Sequence, residues 1–409
     1  MAATKHIAIS AAAFSGNQGA ASMLHATIQQ LSKKHQNIDF AVFTVYPISD
    51  AEVQNYKNVT LHAASPKQLV AKLIPAAFLY RLFPFLRNQL IKIDAIKALS
   101  KADVQIDLAG ISFADGRGIF LLYNIASVLP ALLMKVPVVK FAQAMGPFRD
   151  PIARFVAKIF LPFMDHVFSR GAVTATALKK IKLSNTSRAS DVAFLFNPTE
   201  KDENANEKLL KKLKLRKHGY VLFAPSQVLF KKANKLGIDY IKESADFIQW
   251  VNSKKQLPVL LVAHSVRQGT SKRHNNDIPV CQEIFDSLPK GSDCYFPAEP
   301  LYAGQLKQLI SSARLVVTAR FHAMISSLST RVPVVVTGWS HKYQEVLDEL
   351  DVSVPTVYLE KDFTQKVQKS VAKIIDSNNE DFFESVDKSI GKVKDSARKQ
   401  IDYVTSKFL

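Results

Sequence analysis

The sequence predicts an α/β protein built as two Rossmann-like, doubly wound lobes facing a cleft. Three observations carry this. Short apolar, β-branched runs alternate with segments of helical spacing. They fall into two successive series, divided by the charged, weakly apolar stretch 197–217. In the second series, two neighbouring strand ends collect cations and imidazoles. The expected division is a first lobe at 1–196, a linker or surface helix at 197–217, a second lobe at 218–375 and a closing helix at 376–409.

In the first series, residues 6–10 read as a strand. A small-residue loop with Gly16-Asn17-Gln18-Gly19 follows, then a helix over 20–33 with Met23, Leu24, Ile28 and Leu31 on one face. The loop is neither GxGxxG nor a P-loop. It serves either as a close backbone approach to a ligand, through Asn17 and Gly19, or as a plain tight turn. Strands are expected at 39–44 and 59–63.

Residues 66–101 differ in character. They carry seven cations (Lys67, Lys72, Arg81, Arg87, Lys92, Lys97, Lys101) against the single acid Asp94, interleaved with Leu73, Ile74, Phe78, Phe83 and Phe85. Such a segment lies on an anionic membrane surface or packs as a helical pair with solvated cations.

A buried strand at 104–108 leads to Gly110–Gly116, where Ser112 and Asp115 sit past a strand end. Asp115 suits either a hydroxyl-binding carboxylate or a turn. Residues 118–135 are apolar but short and contain Asn124 and Pro130, so they read as a buried helix rather than a membrane span. A strand at 138–141 precedes Gln143-Ala144-Met145-Gly146-Pro147-Phe148. Residues 165–169 lead to Arg170 and a helix, and Asp191 lies within 189–194.

The second series has strands at 220–224, 258–263 and 294–296, with a helix at 239–251 between the first two. The stretch 314–350 then organises the chain. Residues 315–318 form a buried strand that runs straight into a helix at 321–328, with Arg320 and His322 at the junction. Residues 333–337 form another strand, and Gly338-Trp339-Ser340-His341-Lys342 turns it into a further helix, with Ser340 as its cap. Ligands of open α/β sheets bind at the carboxyl ends of strands, where helix starts present unpaired N–H groups. Arg320, His322, His341 and Lys342 there suit a small anion carrying phosphate or carboxylate. The bland alternative makes Arg320 a cap and His322 a core residue. Helices at 361–375 and 380–408 close the chain.

Composition narrows the function classes. The 54 Lys and Arg against 35 Asp and Glu leave a net charge of +19, which suits nucleic acid, an anionic membrane face or an anionic substrate. No RNP, KH, zinc-finger or helix-turn-helix signature accompanies it, so nucleic acid is the weakest of the three. The two cysteines, Cys281 and Cys294, have neither CxxC nor metal spacing. No secretory apolar run precedes the first strand, so the cytoplasm is the expected compartment.

Taken together, these stretches resemble the polysaccharide pyruvyl transferase family. The likeness rests on Gly16-Asn17-Gln18-Gly19-Ala20, Gly110–Gly116, Gln143–Phe148, Ser169-Arg170 and Asp191-Val192-Ala193-Phe194. Its most specific part is Arg320-Phe321-His322-Ala323, with Val332-Pro333-Val334 and Lys342 downstream. The sequence departs from the usual pattern at Gln18-Gly19-Ala20-Ala21, where many members place an acid after the glycine. It departs again at Ala109-Gly110-Ile111-Ser112, where the usual run is richer in glycine.

The resemblance implies a fold like that of GT-B glycosyltransferases, phosphoenolpyruvate as donor and co-substrate, and a pair of sugar hydroxyls as acceptor. It also implies a pyruvate ketal as product, on a cell-surface glycan such as an exopolysaccharide or capsule, or on its lipid-linked precursor. Arg320 and His322 stand where the family carries its donor-binding and catalytic Arg and His. Lys342 and Ser340 of the second lobe, with Arg170 of the first, would complete the donor site. Asn17, Gly19, Ser112 and Asp115 would face the acceptor in the first lobe. Neither a metal nor a cofactor is signalled. Two alternatives remain: a nucleotide-sugar glycosyltransferase of the same architecture, and a non-catalytic member that binds within a glycan assembly complex.

Overall fold

The computed structural model describes residues 3–267, 273, 275–297, 299–338 and 341–409, without the side chains of Ile119, His341 and Lys342. The chain divides into two compact units. One comprises Met1–Phe14, Met23–Phe196 and Lys392–Leu409, the other Ser15–Ser22 and Asn197–Gly391. The first loop is therefore grouped with the second half of the chain, and the last residues with the first half.

The first unit contains β1 (Lys5–Ser10), β2 (Ile38–Thr44), β3 (Val59–Ala63), β4 (Val104–Asp107), β5 (Ile111–Ala114), β6 (Val138–Gly146), β7 (His166–Ser169) and β8 (Thr186–Arg188). Their order is β3-β2-β1-β4-β6-β7-β8, with β5 paired to β6. The second unit contains β9 (Val221–Ala224), β10 (Val259–Leu261), β11 (Cys294–Tyr295), β12 (Leu315–Thr318), β13 (Val334–Thr337) and β14 (Thr356–Val357), in the order β11-β10-β9-β12-β13-β14. Every pairing within the two sheets is parallel. Each order runs outward one way from the first strand of its unit and then reverses, which is the doubly wound pattern. β9, β12 and β13 are buried throughout, because both faces of a central parallel strand are covered by helices.

One segment differs from the sequence expectation, and two others take one of their expected forms. Residues 118–135 form two helices, Gly118–Ala126 and Leu129–Leu133, and Phe120 and Leu122 are exposed rather than buried. Residues 66–101 form a broken series of helical turns. Leu73, Ala76 and Ala77 face the core while Phe78, Phe83 and Phe85 are exposed. Within 197–217 lies the helix Glu200–Lys212, started by a Thr199–Asp202 capping box and packed on the helix Ala303–Ser311.

The closing helix runs over Glu380–Phe408. In the first unit its Gln400 is fully buried. The side chain accepts from Ala142 N at 2.6 Å and donates to Ser190 O at 2.9 Å. A strand amide and a loop carbonyl thus find their partner in the last turns of the chain.

Candidate active site

In the second unit the strand order reverses between β9 and β12, and the loops at the carboxyl ends of these strands and of β10 converge. After β12, Arg320 occupies the cap position of the helix Phe321–Ser329, its N–H held by Thr318 Oγ1 at 2.9 Å. Its guanidinium Nη2 pairs with Asp277 Oδ1, while its buried Nε has no hydrogen-bond partner among the described residues.

Asp277 is fully buried and ties the converging loops together. Oδ1 accepts from Gln227 N, after β9, at 3.0 Å, and Oδ2 accepts from Ser265 N, after β10, at 2.9 Å. A buried carboxylate is tolerated only with such a full set of donors. Beside it, the buried Gln227 side chain leaves both its amide nitrogen and its amide oxygen without a partner among the described residues.

His264 follows β10 and is buried. Burial above all, then the positive Arg320, then His322, lowers its pKa to about 3, so the imidazole is neutral at neutral pH. His322, half-buried, begins the helix after Arg320, and its ring stands edge-on to Phe321 with centroids 5.1 Å apart. Phe321 in turn meets Tyr343, whose hydroxyl donates to Ala319 O at 2.9 Å. Burial pushes that phenol up to about 12.

The Gly16–Gly19 loop closes against these residues. Val266 N donates to Gly16 O at 2.9 Å, Gln18 N donates to His264 O at 3.3 Å, and Asn17 bridges Ser265. Asn17 Oδ1 accepts from Gly19 N at 3.0 Å, which fixes the turn. Gly19 lies so close to His322 that a Cβ there would fall on the imidazole ring. The glycine is thus required by close approach, since the ring takes the space a side chain would fill.

The expected site residues separate into groups. Arg320 and His322 stand together, and Asn17 and Gly19 join them. This corrects the assignment of Asn17 and Gly19 to the first lobe beside Ser112 and Asp115, because the loop pairs with residues 264–266 instead. Ser112 is buried, and its hydroxyl donates to Gln143 Oε1 at 2.6 Å, so it presents no hydroxyl to a ligand. Asp115 keeps Oδ2 on Arg149 N at 2.8 Å, while its buried Oδ1 has no partner among the described residues.

Arg170 is buried in the first unit, with Nη1 on Asp191 Oδ2 at 2.5 Å and Nη2 on Gly110 O at 2.9 Å. Its charge is matched internally rather than offered to a departing phosphate. Ser340 and the Lys342 side chain lie outside the described residues.

Sequence reasoning missed His264, Asp277 and Gln227. The strand-end rule that found Arg320 also points to His264, which directly follows the apolar run 258–263. Asp277 carries no such local signal. Both cysteines are buried and free, and burial raises their thiol pKa values. Among the described residues, no group of three or more His, Cys, Asp or Glu is arranged to hold a metal.

Residues 17–341 match the family model described as polysaccharide pyruvyl transferase. The chain belongs to that family. The matched span starts at Asn17 and takes in Arg320 and His322, so both sides of the Gly19–His322 contact lie inside the family region. No curated protein sequence matches the chain.

Solved structures of similar fold include S. aureus MnaA bound to UDP, with 13% identity, 98% of this chain and 96% of that one covered, and a TM-score of 0.62. The UDP-GlcNAc 2-epimerase of Methanocaldococcus jannaschii has 15% identity, 99% and 100% coverage, and a TM-score of 0.61. A trehalose-6-phosphate synthase has 9% identity, 99% and 100% coverage, and a TM-score of 0.56. At these identities the likeness carries the fold alone: this pyruvyl transferase family member has a GT-B-like, mostly parallel α/β architecture.

Proposed function

We propose that the protein transfers the pyruvyl group of phosphoenolpyruvate to two sugar hydroxyls of a cell-surface polysaccharide or its lipid-linked precursor. The products are a pyruvate ketal and inorganic phosphate. The observation that carries this reading is the grouping of Arg320, His322 and neutral His264 at the reversal point of the second sheet, under the Gly16–Gly19 loop.

The donor is small and carries a carboxylate and a phosphate. Arg320 is held on one side by Asp277 and keeps further N–H groups for either anion. A neutral His264 beside it donates a hydrogen bond without adding charge.

The chemistry runs in two additions. A proton goes to the methylene carbon, which becomes the methyl group, and the first hydroxyl bonds to the neighbouring cationic carbon and loses its proton. The carbon–oxygen bond to phosphate then breaks, and the second hydroxyl bonds to the same carbon and loses its proton, which leaves with the phosphate. His322 is the residue we assign to move these protons. Asp115 Oδ1 is the acceptor contact we retain, and Lys342 is assigned to the departing phosphate on the family pattern. We place the reaction in the cytoplasm, with the basic segment 66–101 against the inner face of the membrane. In support, Phe78, Phe83 and Phe85 of that segment are exposed. No helix among the described residues is long and apolar enough to cross a membrane.

A nucleotide-sugar glycosyltransferase is the second reading, prompted by the sugar-nucleotide enzymes of similar fold. One experiment separates the two. Calorimetry with phosphoenolpyruvate and with UDP-sugars should show binding of the first only. Arg320→Lys keeps the charge but loses the planar fork, and should weaken phosphoenolpyruvate binding by about 1–3 kcal/mol. Binding of the UDP-sugar alone, or unchanged affinity in Arg320→Lys, overturns the proposal.

A further inference from the structure

We infer that the helix Pro151–Phe160 and the turn Leu161–Phe163 of the first unit form a lipid-facing edge that inserts into the headgroup region of an anionic bilayer. This deepens the peripheral-membrane reading above, and rests on it, by assigning the penetrating element to a part of the chain outside 66–101.

The helix is apolar on two opposite faces. Ala153, Val156, Ala157, Phe160 and Leu161 recur at helical spacing and face the core. Ile152, Phe155 and Ile159 recur at i, i+3 and i+7 on the opposite side, and Phe163 continues them. All four are exposed: Ile152 is 69%, Phe155 65% and Phe163 67% accessible. Single exposed apolar residues are ordinary, but a continuous row on the outer face of one helix is not.

What borders the row decides its occupant. Arg149, Arg154 and Lys158 are exposed along it. The one acid within 149–163, Asp150, is taken up as the helix cap, with Oδ1 accepting from Ile152 N at 2.8 Å and Ala153 N at 3.3 Å.

The next element continues the pattern. The helix Gly118–Ala126 packs against Pro151–Phe160 and exposes Phe120 and Leu122, with the exposed Arg117 at its start. It also packs against Leu129–Leu133, which carries the helix Ile74–Leu82 with exposed Phe78 and Leu82. Exposed apolar side chains and cations therefore recur on successive helices that pack against one another. That combination fits a surface with an apolar interior and anionic headgroups. A second copy of the chain meeting the row about a two-fold axis would bring like cations together.

The test uses the full chain and vesicles of phosphatidylcholine with or without phosphatidylglycerol. Wild type should float with the phosphatidylglycerol vesicles at low salt. Phe155→Ser with Phe163→Ser should lower partitioning by about tenfold or more, without moving the urea midpoint, since both side chains are exposed. Arg154→Gln with Lys158→Gln should weaken binding at low salt and flatten its salt dependence. Tryptophan placed at Phe155 should shift its emission to the blue on adding vesicles.

If wild type does not float, both membrane assignments fail. If wild type floats and the Phe155/Phe163 variant floats equally well, this edge is excluded while the 66–101 segment stands. A dimer in light scattering that the same pair of substitutions converts to monomer makes the row a self-contact and overturns the inference.

Discussion

Replacing Gly19 by alanine adds one methyl group at the point where the first loop meets His322. The new Cβ would fall on the imidazole at Nδ1 and Cγ, and 2.8 Å from His322 Cβ. Ordinary carbon–carbon contact begins at about 3.5 Å, so His322 Cβ and the loop have to separate by about 0.7 Å or more. Turning the ring about χ1 relieves the ring contacts but not this one, because Cβ is fixed to the helix backbone.

The strain therefore passes to the start of the helix Phe321–Ser329, or to the loop and its bonds from Gln18 N to His264 O and from Gly19 N to Asn17 Oδ1. Overpacking of this kind costs about 1–3 kcal/mol of stability. A reacting group misplaced by about 1 Å loses about 10²-fold in rate. Urea titration and phosphate release at saturating phosphoenolpyruvate measure the two effects separately. Gly110→Ala is the control, since nothing lies within 4 Å of a Cβ there. If Gly19→Ala keeps wild-type stability and turnover, the close approach of loop and imidazole is wrong.

Asp277→Ala removes the acceptor of Gln227 N and Ser265 N together with the partner of Arg320, and should cost about 3–5 kcal/mol in urea titration. Asp277→Asn, which keeps one of the two acceptor oxygens and the side-chain volume, should cost less. His322→Asn should lower turnover by about 10²–10⁴ while leaving the urea midpoint in place. Wild-type turnover there would make His322 a packing residue. His264 binds its proton at about 3 when folded against an ordinary value of 6.5. Below pH 6.5 the unfolded chain therefore takes up a proton that the folded chain refuses. Its stabilising effect is complete above pH 6.5 and is lost towards pH 3, at up to about 1.4 kcal/mol per pH unit. Urea midpoints at pH 7 and pH 5 should fall less in His264→Asn than in wild type.

Much of the fold was legible because buried parallel strands announce themselves. The sequences of β9, β12 and β13 are VLFA, LVVT and VVVT, runs that only a strand covered on both faces suits. Strands β5, β8 and β14 were not seen. Thr186–Arg188 and Thr356–Val357 are too short to show alternation, and Ile111–Ala114 sits inside a loop-like glycine run; all three are strands because β7, β13 and β6 offer them partners.

The site was legible where local order makes it. A strand ending directly in Arg320 and a helix starting at Phe321 fix Arg320 and His322 together. The same rule misled at Arg170, another cation between a strand and a helix, because the buried Asp191 that neutralises it is a long-range partner. Asn17 and Gly19 were read with the wrong neighbours for the same reason: nothing near them in the chain shows that residues 264–266 will pair with that loop.

The buried Gln400 has a consequence for how the protein is made. Ala142 N and Ser190 O lie far upstream of it, and their partner is synthesised only after residues 197–391 of the second unit. Until then the first unit has an open strand amide and lacks the apolar face formed by Val393, Ala397, Ile401 and Val404. Contacts spanning that much chain form late and expose the nascent unit meanwhile. The first unit, although most of it precedes residue 197, is therefore completed only after the second unit's residues 197–391 have been synthesised. Chains stalled before residue 392 should depend on chaperones, however much of β1 to β8 has already been synthesised.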